Sequence, residues 1–195
     1  MLLTLVMITV AYLWGSLPGA MILSKMMHLR NPKEYGSHNP GATNMLRVNG
    51  RLPAFCVLVF DMLKGMVPVY VAYRLGISPF YLGLIGVAAC LGHIFPCFFQ
   101  FRGGKGVATA LGSMILIGWD FSALLIGTWF IVLILTGYSS TAAIISFLLA
   151  PLFVWVIRPE LTMPVAMLSC LIILRHTSNI QRLIKGEEDK IYRRK

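Results

Sequence analysis

The sequence predicts an all-α, polytopic membrane protein, and three observations lead to that fold class. First, 57% of its 195 residues are hydrophobic and 12% are charged, whereas about 25% of residues are charged in a soluble domain. Second, apolar runs of bilayer length recur along the chain. Third, the basic residues behind the net charge of +10 lie in short loops, which is typical of membrane topology signals rather than nucleic-acid binding. We expect one helical bundle over residues 1–195, with no second domain.

Seven apolar runs define the expected membrane-spanning helices. The fourth and fifth runs are short for a hydrocarbon layer of roughly 30 Å, and an alternative that merges or drops some runs gives five spans. The first run has no basic segment before it, so we expect a retained helix rather than a signal peptide. The runs are Leu2–Met27, Ala54–Tyr73, Phe80–Phe98, Val107–Gly118, Phe121–Thr136, Thr141–Ile157 and Leu161–Leu174.

The distribution of basic residues predicts a periplasmic N-terminus and a cytoplasmic C-terminus. With an odd number of spans, one side of the membrane collects nearly all Lys and Arg residues, and the other side receives only Arg74 and Arg158. Residues 175–195 then form a cytoplasmic basic tail, whose end, Gly186–Lys195, is expected to fray or to lie on anionic lipid headgroups. Every polar motif described below falls on the cytoplasmic side.

A glycine-rich turn between the third and fourth runs is the first candidate anion site. Gly103, Gly104 and Gly106 surround Lys105, and Arg102 precedes them. Glycines let backbone N–H groups approach a ligand and form an anion cradle, and a helix that begins just after the turn adds its dipole. The Walker pattern is not met. The alternative is a tight cytoplasmic turn that carries topology-setting charges.

The longest polar loop, Arg30–Arg51, offers short hydrogen-bonding side chains followed by an arginine. Ser37, Thr43 and Asn44 can donate to a phosphate, and the guanidinium of Arg47 is a planar fork that suits the same group. A helix cap formed by Thr43 or Asn44 is the alternative, but it explains only one or two of these residues. We therefore predict that this loop contributes to phosphate binding.

Several polar residues lie within apolar runs or at their ends. Asp61 and Lys64 share one helical face of the second run, so they either pair with each other or take part directly in catalysis. His93 lies near the end of the third run, close to the glycine turn, where a structural hydrogen bond and a catalytic role are equally supported. Ser139 and Ser140 open the sixth run, where they either bind an anion or cap the helix.

The last run continues into a polar segment in which Arg175, Asn179 and Arg182 recur at helical spacing. These three residues give one polar face, and the alternative is a snorkelling C-terminal anchor. No nucleophile elbow and no other acyl-enzyme nucleophile can be identified. Taken together, the polar motifs contain many more hydrogen-bond donors than candidate bases.

These motifs, in this order, closely resemble the bacterial acyl-phosphate:glycerol-3-phosphate acyltransferase family, the integral membrane enzymes usually called PlsY. The resemblance covers nearly the whole chain. Of the two adjacent serines, we favour Ser140 as the one that matches the family. The matching segments are Gly15–Pro18, Gly36–Arg47, Asp61–Gly65, Gly92–Thr109, Tyr138–Ser140 and Arg175–Glu187.

The resemblance implies an acyl transfer from acyl phosphate to the sn-1 hydroxyl of glycerol 3-phosphate. The products are lysophosphatidic acid and phosphate, in the first step of membrane phospholipid synthesis. It also implies a multi-pass protein of the bacterial inner membrane with its active site facing the cytoplasm. Because the acids lie outside the motifs or inside a helix, we expect no metal and no cofactor. Apart from membrane lipid and the two substrates, no nucleic acid or obligate protein partner is expected.

The resemblance also assigns the site residues, in a mechanism that relies on positioning and charge neutralisation. We expect Lys105, Arg47 and Ser37 to grip the glycerol phosphate, while the donor phosphate takes the hydroxyl proton. The catalytic group comprises Lys105, Ser37, Arg47, His93 and Asn179. The phosphate-binding group comprises Thr43, Asn44, Gly103, Gly104, Gly106, Ser140 and His176. Supporting structural roles are expected for Asp61, Lys64, Arg175 and Glu187.

Three other functions compete with this interpretation. An anion transporter is disfavoured because the charges gather at one face rather than midway through the bundle. A non-catalytic scaffold leaves the glycine and serine motifs unexplained. A CDP-alcohol phosphotransferase needs a multi-aspartate signature, which this sequence lacks.

Overall fold

The computed structural model describes residues 1–191, and the predicted basic residues at 193–195 lie outside the described residues. The described part is all-helical, as the sequence predicts, with ten α-helices and two short 3-10 turns, Ile115–Ile117 and Pro159–Leu161. The helices are α1 (Leu2–Gly15), α2 (Gly19–Met26), α3 (Ala42–Asn49), α4 (Arg51–Arg74), α5 (Pro79–Ile94), α6 (Val107–Met114), α7 (Trp119–Thr136), α8 (Ser139–Ile157), α9 (Thr162–Leu174) and α10 (Thr177–Ile184).

Prolines modify two of the predicted apolar runs. The run Leu2–Met27 is broken into α1 and α2, whose axes differ by 41°. The break lies at Pro18, because proline lacks an N–H and its ring clashes with the preceding turn. The run Phe80–Phe98 ends as a helix at Ile94, two residues before Pro96, and its last residues form a loop. These two boundaries are corrections to the expected helices.

Three helices, α4, α7 and α8, are each long and apolar enough to cross a membrane. The bent pair α1–α2 makes a fourth candidate span. A second bent pair, Pro159–Leu174 with α10, makes a fifth, with a bend of 53°. The remaining apolar helices, α5 and Val107–Ile117, are shorter. Helix length within residues 1–191 therefore identifies three to five candidate spans, fewer than the seven expected.

Glycines allow two pairs of helices to cross with their backbones in contact. A Cβ atom at Gly15 of α1 would overlap the backbone of α5, and one at Gly92 of α5 would overlap the backbone of α1. Gly65 of α4 and Gly112 of α6 have the same relation to each other's helix. Small residues permit such close crossings in membrane proteins. These contacts fix α5 and α6, the two helices that flank the glycine-rich loop.

A buried ion pair joins the helix break to α4 and α5. Lys64 Nζ lies 2.9 Å from Asp61 Oδ1, so the two residues pair, which the sequence left open. The same ammonium donates to the carbonyl of Leu17 (2.8 Å) and to Nδ1 of His93 (2.9 Å). The break at Pro18 removes Leu17 from regular helical hydrogen bonding, and Lys64 satisfies its carbonyl. This group of residues, the Asp61–Lys64–His93 network, is almost fully buried.

We expect the Lys64→Met variant to lose about 3–5 kcal/mol of stability, because it leaves the Asp61 carboxylate buried without its cation. The double variant Asp61→Asn/Lys64→Met should lose less, because neither charge remains. Lys25→Met, at an exposed position of α2, serves as the control. Thermal unfolding in detergent measures all three. Equal destabilisation of the single and double variants would contradict the proposed role of the charge pair.

Candidate active site

Four polar segments, 28–50, 95–106, 137–140 and 175–191, meet at one end of the bundle. Direct side-chain contacts join segments that lie far apart in the sequence. These are Thr43 Oγ1 with Ser139 Oγ (3.1 Å), Arg175 Nη2 with the carbonyl of Gly104 (3.4 Å), and Arg47 Nη2 with the carbonyl of Asp189 (2.8 Å). The structure therefore brings the sequence motifs together in one site.

The carboxylate of Glu188 lies at the centre of this site. Its Oε1 accepts hydrogen bonds from Ser140 Oγ and Asn179 Nδ2, both at 2.6 Å, and its Oε2 accepts from Arg182 Nε at 2.7 Å. Burial would raise the pKa of Glu188, but these hydrogen bonds hold it below its ordinary value. Two residues predicted to bind substrate, Ser140 and Asn179, thus already bind an anionic group.

Lys105 lies within electrostatic range of the same carboxylate. Burial lowers the pKa of Lys105 to about 8, the negative charge of Glu188 opposes that shift, and the positive charges of Arg182, Arg47 and Arg175 reinforce it. We call Lys105, Glu188 and these three arginines the Lys105–Glu188 cluster. As defined from the described residues, the cluster contains four cations and one carboxylate, and this excess of positive charge suits a further anion.

Three buried polar atoms of the cluster arginines and of Asn179 have no hydrogen-bond partner among the described residues. They are Nε of Arg47, Nε of Arg175 and Oδ1 of Asn179. Buried polar groups are usually hydrogen-bonded, so unpaired atoms in a native structure call for an explanation. Their position next to a cationic cluster is consistent with a polar ligand that completes the site.

The glycine loop is a tight support for Lys105 rather than an open amide cradle. The N–H of Gly103 donates to the carbonyl of Ile94 (3.0 Å), and the N–H of Gly104 donates to the carbonyl of His93 (3.2 Å). These two amides are therefore not available to an anion, which corrects the predicted cradle. Gly106 has φ of +83°, a left-handed conformation that favours glycine, and it directly precedes α6.

His93 supports the glycine loop from the interior of the bundle. A Cβ atom at Gly104 would overlap Nε2 of the His93 ring. Because the ammonium of Lys64 donates to Nδ1, the neutral ring carries its proton on Nε2. The contacts of His93 within residues 1–191 are thus with the loop and the buried network. They support a positioning role for His93, and the catalytic role expected from the sequence stays a prediction.

The amide of Asn44 holds the polar loop together and is not available to phosphate. Its Nδ2 donates to the carbonyls of Pro32 (2.8 Å) and Tyr35 (3.0 Å), and its Oδ1 accepts from the N–H of Ser37 (2.9 Å). Asn44 is 1% exposed. Its expected phosphate contact is therefore corrected to a structural role, while the exposed side chain of Ser37 remains accessible.

The carboxylate in the site belongs to Glu188, whereas the sequence suggested a structural role for Glu187. Gly186 turns the chain with φ of +70°, and the Glu187 side chain is exposed. Nothing in the sequence alone distinguishes two adjacent acids after such a turn. Beyond them, Arg47 Nη2 donates to the carbonyls of Asp189 (2.8 Å) and Lys190 (3.1 Å), which holds the tail against the site.

His176 is buried where α9 meets α10, on the side of the site that holds Lys105. Its Nδ1 donates to the carbonyl of Ile172 at 2.7 Å. The neutral ring therefore presents Nε2 as a hydrogen-bond acceptor. A substrate hydroxyl is the kind of donor that this nitrogen would orient.

Residues 5–186 match the family model described as glycerol-3-phosphate acyltransferase. A glycerol-3-phosphate acyltransferase of Erwinia tasmaniensis is 58% identical over 189 residues, covering 97% of this chain and 92% of that protein. One of Serratia proteamaculans is 58% identical over 186 residues, covering 95% of this chain and 88% of that protein.

Solved structures of an integral membrane glycerol 3-phosphate acyltransferase, PlsY, have the same fold. The crystal structure of its glycerol 3-phosphate form has a TM-score of 0.90 and 34% identity, covering 96% of this chain and 94% of that chain. The lysophosphatidic acid form has a TM-score of 0.88 and 33% identity over the same shares. The chain described here therefore belongs to the glycerol-3-phosphate acyltransferase family.

Proposed function

We propose that this protein transfers an acyl group from acyl phosphate to the sn-1 hydroxyl of glycerol 3-phosphate, giving lysophosphatidic acid and phosphate. This is the first step of membrane phospholipid synthesis. The observation that carries the proposal is the Lys105–Glu188 cluster, where a basic pocket already holds a carboxylate. Family membership and the ligands named for the two PlsY structures support the same substrate class.

In this proposal, Lys105, Arg47 and Ser37 bind the phosphate of glycerol 3-phosphate. Lys105 and Arg47 supply full charges, and the exposed Ser37 adds a hydroxyl. Ser140 and Asn179 turn from Glu188 towards the acyl phosphate and the developing oxyanion, with Thr43 and the amide of Gly106 completing that group. His176 orients the attacking hydroxyl through Nε2.

The proposed mechanism is a direct transfer with no acyl-enzyme intermediate. The sn-1 oxygen forms a bond to the carbonyl carbon of the donor, the bond from that carbon to the phosphate oxygen breaks, and the departing phosphate takes the hydroxyl proton. Because acyl phosphate is an activated mixed anhydride, alignment alone can supply roughly 7–11 kcal/mol of the barrier. Lys105 and the neighbouring arginines neutralise the developing charge.

We further propose seven crossings of the bacterial inner membrane, with a periplasmic N-terminus and a cytoplasmic site. The charge distribution supports this topology, and so does the meeting of segments 28–50, 95–106, 137–140 and 175–191 at one end of the bundle. Alternate helix ends meet there, as an odd number of crossings requires. The short helices α5 and Val107–Ile117 would each count as one crossing.

Cysteine labelling of intact cells tests this topology. In a cysteine-free background, Ser78→Cys between α4 and α5 should react with a membrane-impermeant maleimide, because that loop would face the periplasm. Gln100→Cys, in the glycine-loop segment, should react only after the cells are opened. Both positions are exposed in the structure. The reverse labelling pattern would overturn the proposed orientation.

We expect kcat/KM for glycerol 3-phosphate to fall as pH rises through about 8, because Lys105 then loses the charge that attracts phosphate. Below that pH the Lys105 side chain stays protonated, so its titration causes no further change in kcat/KM. Initial rates at saturating acyl phosphate, from pH 6.5 to 9.5, measure the transition.

Two variants test the assignment of this transition to Lys105. In Glu188→Gln, the pKa of Lys105 loses the opposing negative charge, so the transition should move to lower pH. In Lys105→Arg, the guanidinium stays charged and the transition should disappear, whatever activity remains. An unchanged profile in Lys105→Arg would remove Lys105 from the phosphate site.

Donor specificity provides the direct test of the reaction. Purified protein in lipid should form lysophosphatidic acid with acyl phosphate, and it should form none with acyl-CoA or acyl-carrier protein supplied separately. Radiolabelled glycerol 3-phosphate and lipid extraction measure the product. Lys105→Gln controls for contaminating acyltransferases. Efficient transfer from acyl-CoA alone would contradict the proposed donor.

A further inference from the structure

A second pair of cations, Lys33 and Arg102, lies outside the Lys105–Glu188 cluster. Both residues line a cleft between the α1–α2 break and the glycine loop. Burial and the positive charge of Arg102 lower the pKa of Lys33. The two cations are therefore close enough to repel each other.

No carboxylate among the described residues forms an ion pair with Lys33 or Arg102. Glu34, the next residue after Lys33, accepts a hydrogen bond from an asparagine of its own loop. Asp61 lines the same cleft, but it belongs to the buried Asp61–Lys64–His93 network. An anion bound between the two cations would remove their repulsion.

The Lys33–Arg102 pair differs from the Lys105–Glu188 cluster in its counter-ions. Lys105 has Glu188 as an internal counter-ion, whereas Lys33 and Arg102 have none in the part of the chain described here. A guanidinium and an ammonium that line one cleft suit a phosphate group, which accepts several charge-assisted hydrogen bonds.

The surroundings of the cleft favour a phosphate that carries an apolar chain. Leu17 and Pro18 belong to its lining. On the loop that bears Arg102, the rings of Phe98 and Phe101 are each 58% exposed. Phenylalanine rings carry no polar group, so these exposed rings are suited to contact with an apolar chain. An amphiphile could therefore place its headgroup in the cleft and its chain against these rings.

We propose that the Lys33–Arg102 cleft is a second anion site, which binds the phosphate group of an amphiphile separately from the Lys105–Glu188 cluster. The phosphate can come from a single-chain phosphate ester or from an anionic phospholipid headgroup. Binding at this cleft requires no acyl transfer, so the cleft would have a role beyond the proposed reaction.

Binding of radiolabelled dodecyl phosphate to the full-length protein in phosphatidylcholine nanodiscs tests the proposal, with empty nanodiscs as the reference. The test variant is Lys33→Gln/Arg102→Gln. The control is Lys25→Gln/Arg51→Gln, which removes the same charge from two exposed positions outside the cleft. Lys105→Gln shows whether the two basic clusters are separate.

In the Lys105→Gln background, where the first cluster lacks its lysine, we expect Lys33→Gln/Arg102→Gln to weaken dodecyl phosphate binding roughly tenfold or more, because charge-assisted hydrogen bonds are lost. The control pair should stay within about twofold of the unmodified protein. Lys105→Gln removes binding at the first cluster and should leave a second component of binding, which only the loss of Lys33 and Arg102 removes. An equal loss in the control pair would mean general surface attraction and would overturn the site. Loss of all binding in Lys105→Gln would assign the ligand to the first cluster, which would also overturn it.

Added phosphatidylglycerol distinguishes the two sources of phosphate. If a phospholipid headgroup occupies the cleft, phosphatidylglycerol in the nanodisc weakens dodecyl phosphate binding to the unmodified protein but not the residual binding of the double variant. If the cleft selects single-chain esters, phosphatidylglycerol does not compete. Either outcome supports the cleft as a phosphate site, and competition that is identical in both proteins contradicts it. If the donor experiment detects no acyl transfer, the proposed function is contradicted, but the binding results for the cleft are unaffected.

Discussion

The contacts of His93 determine where Lys105 lies. The carbonyl of His93 accepts the N–H of Gly104, its ring packs against the same glycine, and its Nδ1 is held by Lys64. One residue therefore connects the glycine loop to the buried charges of α4. Because Lys64 also binds the carbonyl of Leu17, the kink between α1 and α2 belongs to the same structure. The loop has little freedom to move without disturbing several helices.

Because the loop is held in place, its glycines have a different function from the glycines of an anion-binding loop. Gly103 and Gly104 let the chain pass close to α5, with their amides turned inward. The cationic side chain of Lys105 is then presented on a fixed backbone. Binding on a pre-organised support avoids much of the entropic cost of ordering a flexible loop around each substrate. In the proposed mechanism, the site would therefore rely on side-chain charge more than on backbone amides.

Much of the fold follows from hydrophobic patterning, because each apolar run contains a helix. The sequence also places Asp61 and Lys64 on one face, and helical geometry then brings them together. Helix boundaries near prolines are harder to predict, since a mean hydropathy taken along a run does not detect a kink such as that at Pro18. Features that depend on tertiary geometry could not be read from the sequence. The choice of Glu188 over its neighbour depends on the turn at Gly186.

The lengths of the central helices affect how the protein fits into its membrane. The 16 residues of α5 span about 24 Å, which is less than the roughly 30 Å of hydrocarbon in a typical bilayer. If α5 crosses the membrane as proposed, one or both of its ends would lie below the surrounding headgroup plane, and the bilayer would thin locally to meet them. A recess of this kind gives a fatty chain a lateral route between the protein and the lipid tails. Host lipids with longer tails would deepen the recess and make access for water-soluble molecules more difficult.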